Sequence, residues 1–173
     1  RRQCARAKAT LQVQEYPVKP EKITDLTVTV KNLADGGSYT LKGEEIATTD
    51  RTTDAFSFLF SLPSEGFIPQ YTASAPQLEF ASDEVFLLPI DAFAPLTFDL
   101  SMKVEYTSTQ TSSKRTQLVE LNNYQLSKQL QAGKSYNFVF RLTFYGDYKP
   151  VGIAVDIQEY TPVKLPASGV GED

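Results

Sequence analysis

The chain has 173 residues, a net charge of −4 at neutral pH and no histidine, and these features exclude several kinds of protein. Without histidine, a Ser-His-Asp or Cys-His catalytic site cannot form, and the commonest transition-metal ligand is missing. The single cysteine, Cys4, excludes an internal disulfide and a multi-cysteine zinc site, while the acidic balance argues against nucleic acid or an anionic membrane as the main partner.

Alternation of apolar and polar residues predicts β-strands along the first half of the chain. One set of strands is expected at residues 5–13, 26–30, 39–41 and 56–62. The Asp35-Gly36-Gly37 sequence predicts a turn, because glycine adopts positive φ at low cost. The polar residues 42–54 are expected to form a loop, and Pro63 ends the strand before it.

The second half continues the same pattern. Strands are predicted at residues 78–80, 85–88, 96–106, 117–121, 136–144 and 153–157, with an exposed Ser/Thr-rich hairpin loop at 107–116. The spacing of Tyr124, Leu126 and Leu130 predicts one helical turn within residues 122–131. Asp147 lies in a predicted turn, where an aspartate commonly bonds its own backbone.

The Gly133-Lys134-Ser135 sequence resembles the end of a phosphate-binding loop. That motif needs an earlier glycine at position 128, where this chain has Lys128, and it must open a helix. Residues 136–144 instead alternate with a period of two, so Gly133 is predicted to be a turn residue before a strand.

Many short strands, with no long helical stripe, predict an all-β fold. We expect a single domain, 1–173, built as an antiparallel Greek-key β-sandwich of about seven to nine strands with at most one short helix. Residues 161–173 contain two prolines and two glycines and are expected to be a mobile tail. The predicted core residues are Leu11, Val13, Val28, Phe58, Phe60, Phe98, Leu100, Phe138, Phe140, Val155 and Ile157.

Four segments, in this order, resemble the fimbrillin-like proteins of Bacteroidetes, which comprise type V pilus subunits and their anchor and tip relatives. The segments are residues 5–13 with 23–30, the apolar run 85–89, the strand 96–106, and residues 130–138 with the closing strand 152–160. The fourth is the most specific, since in the family an Ala-Gly-Lys-x-Tyr turn leads into the penultimate strand. The family's last strand ends near an aromatic residue, and Tyr160 holds that place here.

The resemblance implies assembly rather than chemistry, so we expect no catalysis and no cofactor. Family members look like two transthyretin-like β-sandwich domains, and this chain would be the C-terminal one or a cleaved product. The resemblance also implies export to the cell surface or outer membrane, with no transmembrane segment and with the signal segment outside this sequence. In stalk subunits a strand from the next subunit fills a groove that an arginine-specific protease exposes. The expected partners are other pilus subunits or a surface or host receptor, in a homo- or hetero-oligomer formed by strand exchange.

Several alternatives stay open at this point. Arg2 and Arg6 are candidate protease-cleavage positions or ordinary polar residues of a strand, and residues 160–173 are a donor strand or a loose tail. Tyr71, Tyr145 and Tyr148 lie in predicted loops and form a candidate surface platform, which would suit a carbohydrate-binding module. A third hypothesis is an accessory β-sandwich domain of a larger secreted protein.

Overall fold

The computed structural model describes residues 4–31, 34–39, 46–51, 56–74, 77–88, 96–127, 130–147 and 151–161. Within these ranges every regular element is a β-strand, and no helix occurs. The strands are β1 (Ala5–Gln14), β2 (Lys22–Lys31), β3 (Ala34–Tyr39), β4 (Ile46–Arg51), β5 (Phe56–Phe58), β6 (Gln77–Ala81), β7 (Val85–Leu87), β8 (Leu96–Thr107), β9 (Lys114–Leu126), β10 (Ser135–Thr143) and β11 (Gly152–Glu159).

Nine of the described strands form two facing sheets, which confirms the predicted β-sandwich. The first sheet has the order β11-β10-β1-β6, with β7 also pairing with β1, and the second has the order β5-β2-β8-β9. Strands β3 and β4 form a separate two-stranded sheet. The pairing is antiparallel as predicted, with one exception: β1 and β10 run parallel, with Ala9 opposite Phe138. Parallel neighbours require a long connection, and here the chain between β1 and β10 passes through both sheets.

The core lies between the two sheets and contains the residues that alternate along the longest strands. Phe98 of β8 lies against Phe138 and Phe140 of β10, with ring centroids 4.8 Å and 5.9 Å apart, and all three side chains are fully buried. Eight of the eleven predicted core residues are buried. The other three, Phe60, Val155 and Ile157, are half-buried and pack against the core from its margin.

Two predictions about local structure are wrong. Asp35, Gly36 and Gly37 belong to strand β3 rather than to a turn, and part of the predicted loop 42–54 forms β4. The backbone hydrogen bonds between these two strands form whatever the side chains are, so pairing overrides the local turn preference.

The helical turn predicted within residues 122–131 is also wrong for residues 122–126, which belong to strand β9. Pairing with β8 continues past a bulge, so that Tyr124 lies opposite Phe98 and Leu126 opposite Leu96. Gly133, in contrast, is a turn residue as predicted, with a φ of 78° and its N–H donating to the carbonyl of Cys4. Residues 162–173 lie outside the described ranges, so the mobile tail and the single domain stay predictions.

Candidate interaction surface

The ends of the two sheets are the places where another chain can add a strand, because an edge strand carries backbone N–H and C=O groups with no partner on one side. Among the described strands, β11 ends the first sheet on one side, with β6 and β7 on the other. The second sheet ends in β5, which has only three residues, and in β9, which has thirteen. Length therefore favours β9 and β11 as interaction surfaces.

The hydrogen-bond phase of β11 shows which backbone groups face outward. The N–H of Tyr160 donates to the carbonyl of Ser135, 3.0 Å away, so these two residues form a hydrogen-bonded pair. Such pairs alternate along an antiparallel ladder. Ala154 and Asp156 therefore bond to β10, while the N–H and C=O groups of Ile153, Val155 and Ile157 point away from it. We call these outward groups and their strand the β11 edge.

The same three residues turn their side chains toward the core, but they do not become fully buried. Phe138, Phe140 and Leu142, their neighbours on β10, are completely inaccessible to solvent, whereas Ile153, Val155 and Ile157 are half-buried. The pairing of β10 with β11 runs through eight residue pairs without a register shift. The β11 edge is thus regular and apolar on its inner side, and no strand of the described residues lies beyond it.

Strands β9 and β11 border the same side of the sandwich. The contact of Phe98 with Phe138 places β8 opposite β10, and on the other side the N–H of Asp83, after β6, bonds to the carbonyl of Leu59, after β5. The remaining strands of each sheet, β9 and β11, must therefore face each other. We call this side the β9–β11 opening. The half-buried apolar residues that these two strands contribute are Leu121, Leu126, Ile153, Val155 and Ile157.

A polar cluster around Asp147 ties the turn after β10 to the β8–β9 hairpin at one end of this opening. The Asp147 carboxylate accepts hydrogen bonds from the hydroxyls of Tyr106 (2.8 Å) and Ser108 (2.7 Å) and from the Arg115 guanidinium (3.1 Å). Its side chain is only 6% exposed. The Ser108 and Tyr106 hydroxyls, followed by the charge of Arg115, hold the pKa of Asp147 below its ordinary value. The expectation that Asp147 bonds its own backbone stays a prediction, because residues 148–150 lie outside the described ranges; the donors that the structure describes come from the β8–β9 hairpin of the facing sheet.

The β9 edge differs from the β11 edge because it is interrupted by a bulge. Asn123 has a φ of 54°, its N–H donates to the Asp99 carboxylate (2.8 Å), and its side-chain oxygen accepts from Lys31 (3.2 Å). Lys31 also forms an ion pair with Asp99. Burial raises the pKa of Asp99, but the Asn123 N–H and Lys31 outweigh burial and lower it overall. Bulges bend an edge strand away from incoming strands, so this edge carries a protection that β11 lacks.

The outward groups on β9 can be assigned in the same way as those on β11. The N–H of Ser108 donates to the carbonyl of Ser113 (2.8 Å), so Arg115, Gln117 and Val119 bond to β8. Leu118 therefore presents its backbone N–H to the outside, and its side chain is 54% exposed.

The two candidate cleavage positions fall in different places. Arg2 lies outside the described residues. Arg6 lies inside β1, where its N–H bonds to the carbonyl of Lys134 and where it also pairs with Phe86 of β7. Its guanidinium contacts the Glu84 carboxylate at 3.1 Å, and the Tyr160 hydroxyl donates to the other oxygen of Glu84 at 2.8 Å. Cleavage at Arg6 stays a prediction, and it requires β1 to separate from both of its neighbours.

The tyrosines of the candidate platform are partly used to hold loops. Tyr71 is half-buried, its hydroxyl donates to the carbonyl of Pro20 at 3.1 Å, and Lys19 lies 5.2 Å from its ring centroid. Burial, followed by the charge of Glu15, raises its pKa. Tyr145 is also half-buried, and Tyr148 lies outside the described residues. The platform therefore stays a prediction.

Sequence reasoning placed the strands of this surface but missed the features that make it a site. The apolar alternation of Ile153, Val155 and Ile157 was visible, but their position at the end of a sheet depends on the strand order. In the part of the chain that the structure describes, no group of three or more Asp, Glu, Cys or His residues is placed to hold a metal ion. Nor does that part contain a helix long and apolar enough to cross a membrane.

Two solved structures are similar to this chain at low sequence identity. No protein-family model matches the sequence, and a search of curated proteins finds no significant match. Among solved structures, the chain is similar to a candidate cell adhesion protein from Bacteroides uniformis, with 14% identity, a TM-score of 0.49, and coverage of 92% of this chain and 51% of that one. A second candidate cell adhesion protein, from Bacteroides fragilis, has 13% identity and a TM-score of 0.49, with coverage of 94% and 48%. This chain thus spans about half the length of each.

Proposed function

We propose that this chain is a structural and adhesive protein of the cell surface, a fimbrillin-like pilus subunit that assembles by β-strand addition at the β11 edge. It acts by binding and needs neither catalysis nor a cofactor. One observation carries the proposal. Strand β11 is the last strand of its sheet among those described, and Ile153, Val155 and Ile157 combine outward backbone groups with half-buried apolar side chains. The ordered resemblance of four sequence segments to the fimbrillin-like family supports the same interpretation.

An added strand would stabilise the complex through backbone hydrogen bonds and through burial of apolar side chains. Its backbone would pair with the outward groups of β11, and alternate apolar side chains would enter the β9–β11 opening. The half-buried side chains of β11 would then lose their remaining contact with water, which is favourable by about 25 cal/mol for each Å² of apolar surface. The bulge at Asn123 makes β9 the poorer acceptor of the two.

A proline substitution tests this assignment, because proline removes one backbone N–H and is tolerated where that N–H faces solvent. In Val155→Pro the missing N–H is one of the outward groups of β11, so pairing with β10 is retained. Leu118→Pro is the matched control, since it removes an outward N–H from the β9 edge instead. Circular dichroism would verify that both variants are folded.

The probe is a fluorescently labelled peptide that copies β1, whose inner face carries small alanines followed by Leu11 and Val13. We expect its anisotropy to rise with the unmodified chain and with Leu118→Pro, and to remain low with Val155→Pro. Equal binding by both proline variants would refute the β11 assignment. A chain that stays monomeric, binds no strand and gains thermal stability with glycans would instead support a carbohydrate-binding module.

A further inference from the structure

We infer that two copies of this chain pair through β11 itself, antiparallel, with Val155 opposite its own counterpart on a two-fold axis. The inference rests on the proposed function, since it names the partner that the β11 edge accepts. It identifies that partner as a second copy of the chain, and it follows from the residue order of the strand together with its hydrogen-bond phase.

The sequence of β11 is symmetric about Val155 on its inner face. Ile153 and Ile157 lie two residues to either side of it, and all three present outward backbone groups and half-buried side chains. In the proposed arrangement Ile153 faces Ile157 of the second copy, and Val155 faces Val155. Each of the three pairs is of the hydrogen-bonded type, so each exchanges two backbone hydrogen bonds. Such an interface is self-complementary, as a two-fold dimer requires.

Two factors favour this register over registers shifted by one residue: the charges that would face each other and the number of residue pairs that would form. A two-fold axis at Asp156 would place two carboxylates directly opposite each other, which is unfavourable. An axis at Ala154 would leave Ile157 opposite Val151, which lies outside β11, and fewer pairs would form. With the axis at Val155, each Asp156 lies opposite Ala154 of the other copy and Gln158 lies opposite Gly152, so no like charges meet.

Strand β11 itself contains none of the features that usually protect an edge strand. Edge strands are commonly protected by lysine, proline or a bulge. The eight residues of β11 contain no lysine and no proline, and their pairing with β10 has no register shift. Asp156 on the outer face has Arg141 beside it at 3.9 Å, so its charge is partly compensated within one chain.

The experiment is sedimentation equilibrium of the chain over a wide concentration range in low-salt buffer, with three further variants. Ala154→Asp would place a carboxylate opposite each Asp156 of the second copy, and we expect the dimer to weaken about tenfold. In a single chain the new carboxylate would lie opposite Arg141 on β10, so folding should be retained. The double change Ala154→Asp with Asp156→Ala restores the opposition of alanine and aspartate, and should return the dimer to its original strength.

Gln158→Asp is the charge-matched control, because it adds the same charge opposite Gly152 and should weaken the dimer much less than Ala154→Asp. Failure of the double change to restore the dimer would overturn the Val155 register. A dimer that persists in Val155→Pro would show that another surface is used, which also overturns the inference. A chain that is monomeric at all concentrations but still binds the β1 peptide at β11 would refute self-pairing and leave the proposed function intact. If neither dimer nor peptide binding occurs, both fail.

Discussion

The hydroxyl of Tyr106 donates a hydrogen bond to the carboxylate of Asp147 across the sandwich, with the two oxygens 2.8 Å apart. Tyr106 belongs to β8 of one sheet, and Asp147 belongs to the turn that joins β10 to β11 of the other. Tyr106 also packs its ring against Phe144, with centroids 4.8 Å apart. This contact therefore holds the β8–β9 hairpin against the turn after β10 at one end of the β9–β11 opening.

The Asp147 cluster makes stability depend on pH in a definite direction. Because its pKa is lower in the folded chain than in the unfolded one, its contribution is present above the ordinary carboxyl value of about 4 and is lost as the pH falls through the folded value. Asp147→Asn should therefore lower the melting temperature at neutral pH and flatten its fall in acid. Thermal unfolding from neutral pH into acid measures both effects.

The control for that experiment is Asp156→Asn, which changes an exposed carboxylate that lies 3.9 Å from the Arg141 guanidinium. It should leave the melting temperature and its acid dependence close to those of the unmodified chain. An Asp147→Asn variant with an unchanged acid profile would contradict the role assigned to the cluster.

The buried aromatic rings between the sheets should dominate stability. Phe98→Ala or Phe140→Ala removes a completely buried ring and leaves a cavity, so each should cost about 3–5 kcal/mol of unfolding free energy. Phe86→Ala is the control, because its ring is 67% exposed and should cost less than about 1 kcal/mol. Urea denaturation gives both values. A loss below about 1 kcal/mol for Phe98→Ala would show that the assignment of Phe98 to the core-facing side of β8 is wrong.

A buried polar pair on the outer face of the first sheet offers a sharper test of strand register. The Thr10 hydroxyl donates to the Asn137 side-chain oxygen at 2.7 Å, and both residues are buried. Thr10→Val keeps the shape but leaves that oxygen without its donor, which should cost about 1–3 kcal/mol. Thr10→Ser retains the hydroxyl and should cost less. A larger loss in Thr10→Ser than in Thr10→Val would indicate that the methyl group, rather than the hydrogen bond, stabilises this site.

The bulge on β9 should depend on the conformation of Asn123. Its positive φ is accessible to asparagine and glycine but costly for a β-branched residue. Asn123→Gly should therefore be tolerated, whereas Asn123→Val should lose about 1–3 kcal/mol. Urea denaturation compares the two. Similar losses would mean that the contact of the Asn123 side chain with Lys31, which both variants remove, determines the bulge more than backbone conformation does.

The sequence-based prediction succeeded where burial of apolar side chains determines the structure, and it failed where contacts between distant parts of the chain determine it. Alternation located β8 and β10, because Phe98 and Phe140 must be buried whatever their partners are. It failed at Gly36 and Tyr124, where pairing with a neighbouring strand overrides a local turn or helix preference. The parallel pairing of β1 with β10 and the contacts of Asp147 join residues far apart in the chain, so no local pattern reports them.

The β11 edge itself predicts an alternating pattern of amide hydrogen exchange in dilute solution. The N–H groups of Ala154 and Asp156 bond to β10 and should exchange slowly. Those of Ile153, Val155 and Ile157 face outward and should exchange faster than their neighbours, although their side chains are more buried than those of Ala154 and Asp156. NMR resolves the residues individually. Uniform protection at high dilution would mean that the outward groups of β11 already have partners within one chain, and the proposed site of strand addition would have to be abandoned.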